Sequence, residues 1–267
     1  MKLTIVGCSG SFPGPQSPAS CYLITATVPD GDSTRTWRIL LDLGNGALGA
    51  LQRYMDLRDI DAVFLSHLHP DHCMDLCGLH VAVHWDPNGW NQPRIPVWGP
   101  QDTADRMATA YGLDLDPGMH EDFDFKIWEP RAPVTLGPFT ITPYPVLHPV
   151  QEAYALRVEV AGEKPGEPPR VLTYSGDTDA CDGLIEAAAG SNVFLCEAAF
   201  HEGRDDEIEG VHLTGRRAGQ VAAAAATDRL LLTHIPVWND ANRTVEEART
   251  SYRGDLAVAV AGVSYEI

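Results

Sequence analysis

His67-Leu68-His69-Pro70-Asp71-His72 follows the apolar run Ala62-Val63-Phe64-Leu65 with only Ser66 between them. Four metal-capable side chains thus fall within six positions at the end of a buried strand. Imidazole and carboxylate are common ligands of Zn²⁺ and its first-row neighbours. A strand that stops at such a cluster delivers it to the edge of a sheet, where a site can open to solvent. In an extended segment His67 and His69 share one side. Asp71 and His72 come where the chain turns, so they can face a second ion beside the first. The layout predicts a two-metal hydrolytic centre, in which the ions clamp one substrate oxygen and generate hydroxide. A chance crowd of histidines on a solvated turn is the bland alternative. The dense spacing and the ligands supplied downstream argue against it.

Three later positions have the same character, a metal-capable residue ending an apolar strand. His148 follows Tyr144-Pro145-Val146-Leu147, and His234 follows Leu230-Leu231-Leu232-Thr233. Asp177 follows Val171-Leu172-Thr173-Tyr174-Ser175-Gly176. Any one of them alone reads as a surface or core residue. Three in order after a dense motif read as ligands converging on one rim.

The rest of the chain supports a layered fold. Short β-branched runs fill residues 3–6, 21–27 and 37–41, with a hairpin turn at 29–34. Residues 61–65 are the strand that carries the motif, between helices expected at 47–55 and 73–84. A strand at 96–98 precedes a helix for which Asp102 is the expected N-cap. Strands at 123–128, 139–147, 153–160 and 171–174 follow. Helices at 179–189, 214–226 and 244–252 then alternate with strands at 193–196, 230–232 and 257–260. Each half has strands first and strand–helix alternation second. This predicts an α/β (α+β) fold of two sheets packed face to face with helices outside, a four-layer αββα sandwich. No linker divides the chain, so residues 1–267 are read as one domain. The alanine run 222–226 reads as tight helix packing.

The chain has 267 residues, 44% hydrophobic and 21% charged, with a formal net charge of −18. Two divalent cations would leave it clearly acidic. That disfavours structured nucleic acid and anionic lipid as partners. A small anionic substrate stays open, because bound metals invert the local field. The six cysteines are scattered and form no CxxC pair, so they read as buried free thiols. Cys73 and Cys77 lie four apart on an expected helix and read as packing residues ahead of ligands. No apolar run reaches ~18 residues and the first residues show no secretory pattern, so a cytoplasmic protein without a membrane partner is expected.

Weaker motifs remain. Gly7, Gly10 and Gly14 suggest a dinucleotide loop, but Pro13, Pro15 and the lack of a following helix argue against it. The loop could instead present N–H groups to a substrate. His80 and His84 have helical i,i+4 spacing without the Glu of HExxH, and read as a helix-face pair. His120 and His201 lie in acidic loops with no evident role, and 201–209 reads as solvated. Trp85, Trp90 and Trp98 could stack a base from rim loops or simply pack.

Taken together, the HxHxDH block at His67 to His72, His148, Ser175-Gly176-Asp177-Thr178 and Thr233-His234-Ile235 resemble the metallo-β-lactamase superfamily over nearly the whole chain. The resemblance implies its αββα fold and a dinuclear site at the sandwich edge. It implies His67, His69 and His148 on one ion, Asp71, His72 and His234 on the other, and Asp177 between them. The ions would sit ~3.5–4 Å apart around a shared hydroxide. Zn²⁺ is the first expectation, with Mn²⁺ or Fe acceptable to the same N/O set. Asp71 counts among the catalytic residues as well as the ligands. Gly7-Cys8-Ser9-Gly10-Ser11-Phe12-Pro13, Phe194-Leu195-Cys196-Glu197-Ala198 and His212-Leu213-Thr214 resemble the ribonuclease Z-like branch. That branch implies Glu197 orienting His212, with His212 protonating the leaving alkoxide, and a homodimer as a partner to test. A helix-capping neighbour is the alternative for His212.

Transfer-RNA 3′-processing enzymes of the branch carry a long arm between the ligands matching His148 and Asp177. Here residues 149–176 hold two strands and a hairpin turn over 162–169, with no room for an arm. Ser17-Pro18-Ala19-Ser20 and the segments 174–179 and 232–236 are most similar to small arm-less members, including cyclic-nucleotide phosphodiesterases. The resulting expectation is a phosphodiesterase acting on a small substrate, with 3′,5′-cyclic AMP first. A ribonuclease Z-type endonuclease for tRNA 3′ ends and a thioesterase or lactonase on the same fold are the alternatives.

Overall fold

Leu230, Leu231 and Leu232 are all fully buried, but against different neighbours. Leu231 joins the apolar core between two sheets, while Leu230 and Leu232 join a core between one sheet and its helices. Successive side chains of a strand point to opposite faces, so three buried in a row need cover on both. The computed structural model provides that cover, and it describes residues 1–162, 164 and 166–267.

The first sheet is built from β1 (Lys2–Gly7), β2 (Cys21–Asp30), β3 (Ser33–Leu41), β4 (Ala62–Phe64), β5 (Ile95–Gly99) and β6 (Phe123–Ile127). The second holds β7 (Val134–Leu136), β8 (Phe139–Pro145), β9 (Tyr154–Val160), β10 (Arg170–Tyr174), β11 (Val193–Glu197), β12 (Arg229–Thr233) and β13 (Asp255–Val258). β14 (Ser264–Glu266) then returns to pair with β1. The predicted repetition of the halves is a topological fact. β1–β2 and β2–β3 pair antiparallel, whereas β3–β4, β4–β5 and β5–β6 pair parallel. In the second sheet β7 to β10 pair antiparallel and β10 to β13 parallel. Parallel strands end at one edge, so their outgoing loops meet there.

Leu3, Ile5, Tyr22 and Phe64 of the first sheet meet Leu156, Leu172, Tyr174 and Leu195 of the second in the central core. Outside the first sheet lie α1 (Ala47–Leu51), α2 (Pro70–Cys73), α3 (Leu76–His84) and α4 (Thr103–Tyr111). Outside the second lie α5 (Asp182–Ala188), α6 (Gly215–Ala224) and α7 (Ala241–Arg249). The αββα expectation therefore holds.

Several boundaries differ from the sequence reading. The helix expected at 73–84 starts only at Leu76, with Cys73 ending the short α2, because Asp75 spends its N–H and side-chain hydrogen bonds outside the helix. Its N–H donates to the Leu43 carbonyl and its side chain accepts from Leu48 N at 2.7 Å. The helix expected at 47–55 stops at Leu51. Asp102 holds the N-cap position but makes no side-chain cap bond. The β2–β3 hairpin is tighter than expected, with Asp30 paired to Ser33 and Gly31 left-handed at φ 61°. β7 and β14 carry too few residues for a pattern to show. Within the alanine run, Ala222 and Ala225 are buried and the other three are exposed. Close helix packing comes instead from Gly215, where a Cβ would meet the Thr244 carbonyl at 2.2 Å. β9 and β10 pair from Val160–Arg170 onward. The hairpin turn expected over 162–169 falls on the segment between them, in which Glu163 and Pro165 lie outside the described residues. Among the described residues no helix is long and apolar enough to cross a membrane.

Candidate metal centre

The motif strand β4 releases His67 and His69 into a short loop, and Pro70 then opens α2. Proline suits the first helical turn because its missing N–H is an orphan there anyway. Asp71 and His72 sit in that turn, both buried. His148 leaves the loop after β8, Asp177 follows β10, Glu197 ends β11, and His234 follows β12 directly. His212 stands just before α6, whose N-cap Thr214 accepts from Arg217 N. Two backbone features let these loops approach. Gly176 is left-handed at φ 59°, and a Cβ there would meet the Tyr154 carbonyl at 2.6 Å. A Cβ at Gly10 would meet the His234 carbonyl at 2.2 Å.

All seven residues expected as ligands come together, in two sets that share Asp177. His67, His69, His148 and Asp177 form one, and Asp71, His72, Asp177 and His234 the other. Within each set the donor atoms lie within 4.8 Å of one another. Asp177 Oδ1 is 3.2 Å from His72 Nε2, while Oδ2 is 3.3 Å from His234 Nε2 and 3.7 Å from His67 Nε2. A third group joins them at the same carboxylate, since Asp177, Glu197 and His212 also offer atoms within 4.8 Å.

The hydrogen-bond network assigns the ring protons. His72 Nδ1 donates to Asp42 Oδ2 at 2.7 Å, and His148 Nδ1 donates to the Val211 carbonyl at 2.8 Å. Ser66 Oγ gives its proton to Asp42, so it accepts from His67 Nδ1 at 3.1 Å. Ser11 N–H points at His234 Nε2 from 3.3 Å. Each of these rings thus has an unprotonated Nε2, the tautomer that a metal requires. His69 Nδ1 lies 3.1 Å from His67 Nε2 and 3.2 Å from His148 Nε2. One proton on His69 serves one of these contacts, whereas a cation serves all three nitrogens. The buried His72 Nε2 and Asp177 Oδ1 have no hydrogen-bond partner despite their proximity. Buried polar atoms are rarely left so, and a bound cation satisfies both. The clusters therefore fit a divalent metal.

The electrostatics agree. Burial lowers the pKa of His67, His69, His148 and His234, favouring the neutral ring that binds metal. Burial also opposes a proton on His72. There Asp177 and Asp42 outweigh it and raise the ring well above its ordinary value, so this spot demands positive charge. Burial alone would raise Asp71, yet His72 and His234 bring it down to about 2. Burial would lower His212 as well, but the charge and hydrogen bond of Glu197 hold it at about 9.

Glu197 is fully buried and fixed on both oxygens. Oε1 accepts from Thr178 N at 2.9 Å and His212 Nδ1 at 2.8 Å. Oε2 accepts from Ala199 N at 3.1 Å and Leu213 N at 3.3 Å. His212 is thus held by its Nδ1 side, with its ring 5.3 Å from that of His148 and 5.6 Å from that of His234.

The sequence reading missed Asp42. It is fully buried, left-handed at φ 59°, and accepts from Ser66 N, Ser66 Oγ, His72 Nδ1 and Tyr174 Oη at 2.7–2.8 Å. Its signal is the same as that of His148 and Asp177, a polar residue closing the apolar run Ile39-Leu40-Leu41. Asp179 was also missed; it accepts from Gly210 N at 2.8 Å and pairs with Arg217, tying the loop before His212 to the ligand strand. Some of the remaining expectations change and others hold. Most N–H groups of the Gly7-to-Pro13 loop are spent on its own packing, with Ser9 bonded to Pro18 and Gly10 to Ile235. Trp98 stacks on Phe64 in the core, Trp90 neighbours Arg58, and Trp85 lies against His84. His201 is buried and not solvated, with Glu247 3.5 Å away. All six cysteines are free, and Cys73 and Cys77 pack in the apolar layer under α3.

A β-lactamase superfamily domain model matches residues 37–235. A Mycobacterium leprae protein is 41% identical over 273 residues, covering 100% of this chain and 89% of the relative. The probable metallo-hydrolase YhfI of Bacillus subtilis is 29% identical over 273 residues, with both chains fully covered. Its crystal structure superposes with a TM-score of 0.80 over 99% of this chain and 98% of that one. Ribonuclease Z of Haloarcula marismortui is 28% identical over 317 residues, covering 100% of this chain and 97% of that protein. The chain belongs to the β-lactamase superfamily, in which it is a metal-dependent hydrolase related to ribonuclease Z.

Proposed function

We propose that this hydrolase is a phosphodiesterase for a small substrate, working with two divalent cations, and that 3′,5′-cyclic AMP is the first substrate to try. The observation that carries the reading is the Glu197–His212 pair set beside the shared carboxylate Asp177. An alkoxide is a poor leaving group and needs a proton as it departs, whereas a thiolate or an activated phenolate needs little. His67, His69 and His148 would hold one cation and Asp71, His72 and His234 the other, with Asp177 common to both. When bound, such a pair neutralises phosphoryl charge and lowers the pKa of water, as Zn²⁺, Mn²⁺ or Fe each can. Glu197 keeps the Nδ1 proton of His212 engaged, so the proton delivered to the leaving oxygen comes from Nε2. The four hydrogen bonds on Glu197 fix that direction before substrate arrives.

Substrate size follows from what surrounds the centre. Only residues 161–169 link β9 to β10, which leaves no protruding arm to grip a folded RNA. A net charge of −18 adds long-range repulsion toward a polyanion, while a small phosphodiester meets mainly the local field of the ions. The testing experiment is turnover by Zn²⁺- or Mn²⁺-loaded protein of 3′,5′-cyclic AMP, 2′,3′-cyclic AMP and a precursor tRNA side by side. Preferential hydrolysis of a cyclic nucleotide is expected. Cleavage of the tRNA alone would overturn the small-substrate reading, and turnover of only thioesters or lactones would overturn the phosphodiester.

His212→Ala separates the acid from the metals. The rate on a cyclic nucleotide should fall by about 10²–10⁴. A nitrophenyl phosphodiester, whose leaving group needs no proton, should lose far less, and bound metal should be unchanged. Equal losses on both substrates would remove His212 from proton delivery.

A further inference from the structure

Away from the catalytic edge, His80, His84 and Asp122 form another group of donors whose atoms lie within 4.8 Å of one another. His80 and His84 are one turn apart on α3, so their side chains lie on the same face. That face meets the turn leading into β6. His80 Nδ1 is 2.6 Å from Asp122 Oδ2, and His84 Nδ1 is 3.2 Å from Asp122 Oδ1. His80 and Asp122 are buried, while the side chain of His84 is 34% exposed, leaving a way in. A surface pocket lined by His84, Trp90, Arg94, Glu121 and Asp122 opens over the group, with the Arg94 guanidinium directed to the His120 carbonyl.

The main chain that carries the carboxylate is pinned on both sides. Asp122 N–H donates to the Met119 carbonyl, and its own carbonyl accepts from Ile95 N, the first residue of β5. The edge of the His80 ring packs on Tyr111 of α4, with ring centroids 4.8 Å apart. Two imidazoles and a carboxylate are thus gathered at hydrogen-bond spacing, and the three must open slightly to admit an ion. Nδ1–H donors on both rings explain the contacts without an ion. With an ion, each Nδ1 proton transfers through solvent to Nε2, and both Nδ1 lone pairs with one carboxylate oxygen become ligands at about 2.0–2.2 Å.

We propose that His80, His84 and Asp122 bind a divalent transition-metal ion of the zinc, nickel or copper kind. An N₂O donor set favours these over Mg²⁺ or Ca²⁺. Water completes the shell on the open side. β4, β5 and β6 run parallel, so the start of β6 lies at the end of the sheet opposite the catalytic loops. The ion is therefore a clip: it ties the C-terminal end of α3, the helix that follows the motif, to the edge of the first sheet. It takes no part in turnover.

The test compares the whole wild-type protein with His84→Ala and Asp122→Asn after dialysis against micromolar free Zn²⁺. Zinc per chain is read by elemental analysis, with the rate on a nitrophenyl phosphodiester measured alongside. Each variant should hold one Zn²⁺ fewer than wild type, at an unchanged rate. The quantity read is a difference between proteins with the same catalytic centre, so it does not depend on whether that centre takes one ion or two. His84 is partly exposed, so its alanine variant tests the site even if Asp122→Asn fails to fold. Equal zinc in wild type and His84→Ala overturns the proposal. So does a loss of activity in step with zinc, which would place the effect in the catalytic centre.

Discussion

Asp177→Ala is expected to lose bound metal and turnover together. The carboxylate is the one group common to both ligand sets and to the Glu197–His212 pair. Its two oxygens reach toward His72, His234 and His67 at 3.2–3.7 Å. Burial would push its pKa up, but His234, His72 and His67 hold it well below the carboxylate range, which favours the ionised form. Removing it leaves the His67, His69 and His148 set with no carboxylate, and leaves Asp71 as the one carboxylate of the other set. kcat/KM should fall by about 10⁴ or more, roughly 5 kcal/mol of transition-state stabilisation. Elemental analysis should show the ions gone. Asp177→Asn keeps the volume and one oxygen, so it separates loss of charge from loss of fold. An alanine variant that keeps its full metal content, or stays within tenfold of wild-type turnover, would show that Asp177 is not the shared ligand.

The residues gathered at the proposed metal centre were legible because they form one dense motif or mark the end of an apolar run. His67, His148, Asp177 and His234 are read from a period that stops, and chain direction then carries all of them to one edge. Asp42 obeys the same rule and was still missed. A single carboxylate after Ile39-Leu40-Leu41 looks like a strand end meeting water. Its importance lies in donors from residues 66, 72 and 174, which only the packed sheets bring to it. The break between α2 and α3 was hidden for a similar reason. The stretch from Cys73 to His84 has helical composition throughout, and what interrupts it is a contact between Asp75 and the backbone of residues 43 and 48. His201 and its acidic neighbours read as solvated on composition, whereas the fold packs His201 beside Glu247 of α7. Local pattern thus gave the layers and the metal motif. Long-range hydrogen bonds, which leave no period, decided the rest.

Asp42→Asn should weaken metal binding without touching a ligand. Asp42 accepts four hydrogen bonds and can give none. Three of them, from Ser66 Oγ, His72 and Tyr174, converge on Oδ2, and the fourth, from Ser66 N, reaches Oδ1. An amide has one accepting end. Turned one way, its NH₂ opposes three donors; turned the other, it opposes the Ser66 N–H. The left-handed backbone at φ 59° is no obstacle, since asparagine adopts it readily. The variant should therefore fold, with His72 no longer held in the tautomer that turns Nε2 inward. Loss of such an orienting partner typically costs 10–100-fold in metal affinity, and chelator competition should read about that much. Asp42→Ala should be worse for the fold, because four buried donors are stranded at once. A loss of about 3–5 kcal/mol, read as a lowered denaturation midpoint, is the scale for breaking such a buried charged network. If Asp42→Asn binds Zn²⁺ as tightly as wild type, the orientation of His72 comes from packing alone, and Tyr174 and Ser66 gain nothing from the carboxylate they surround.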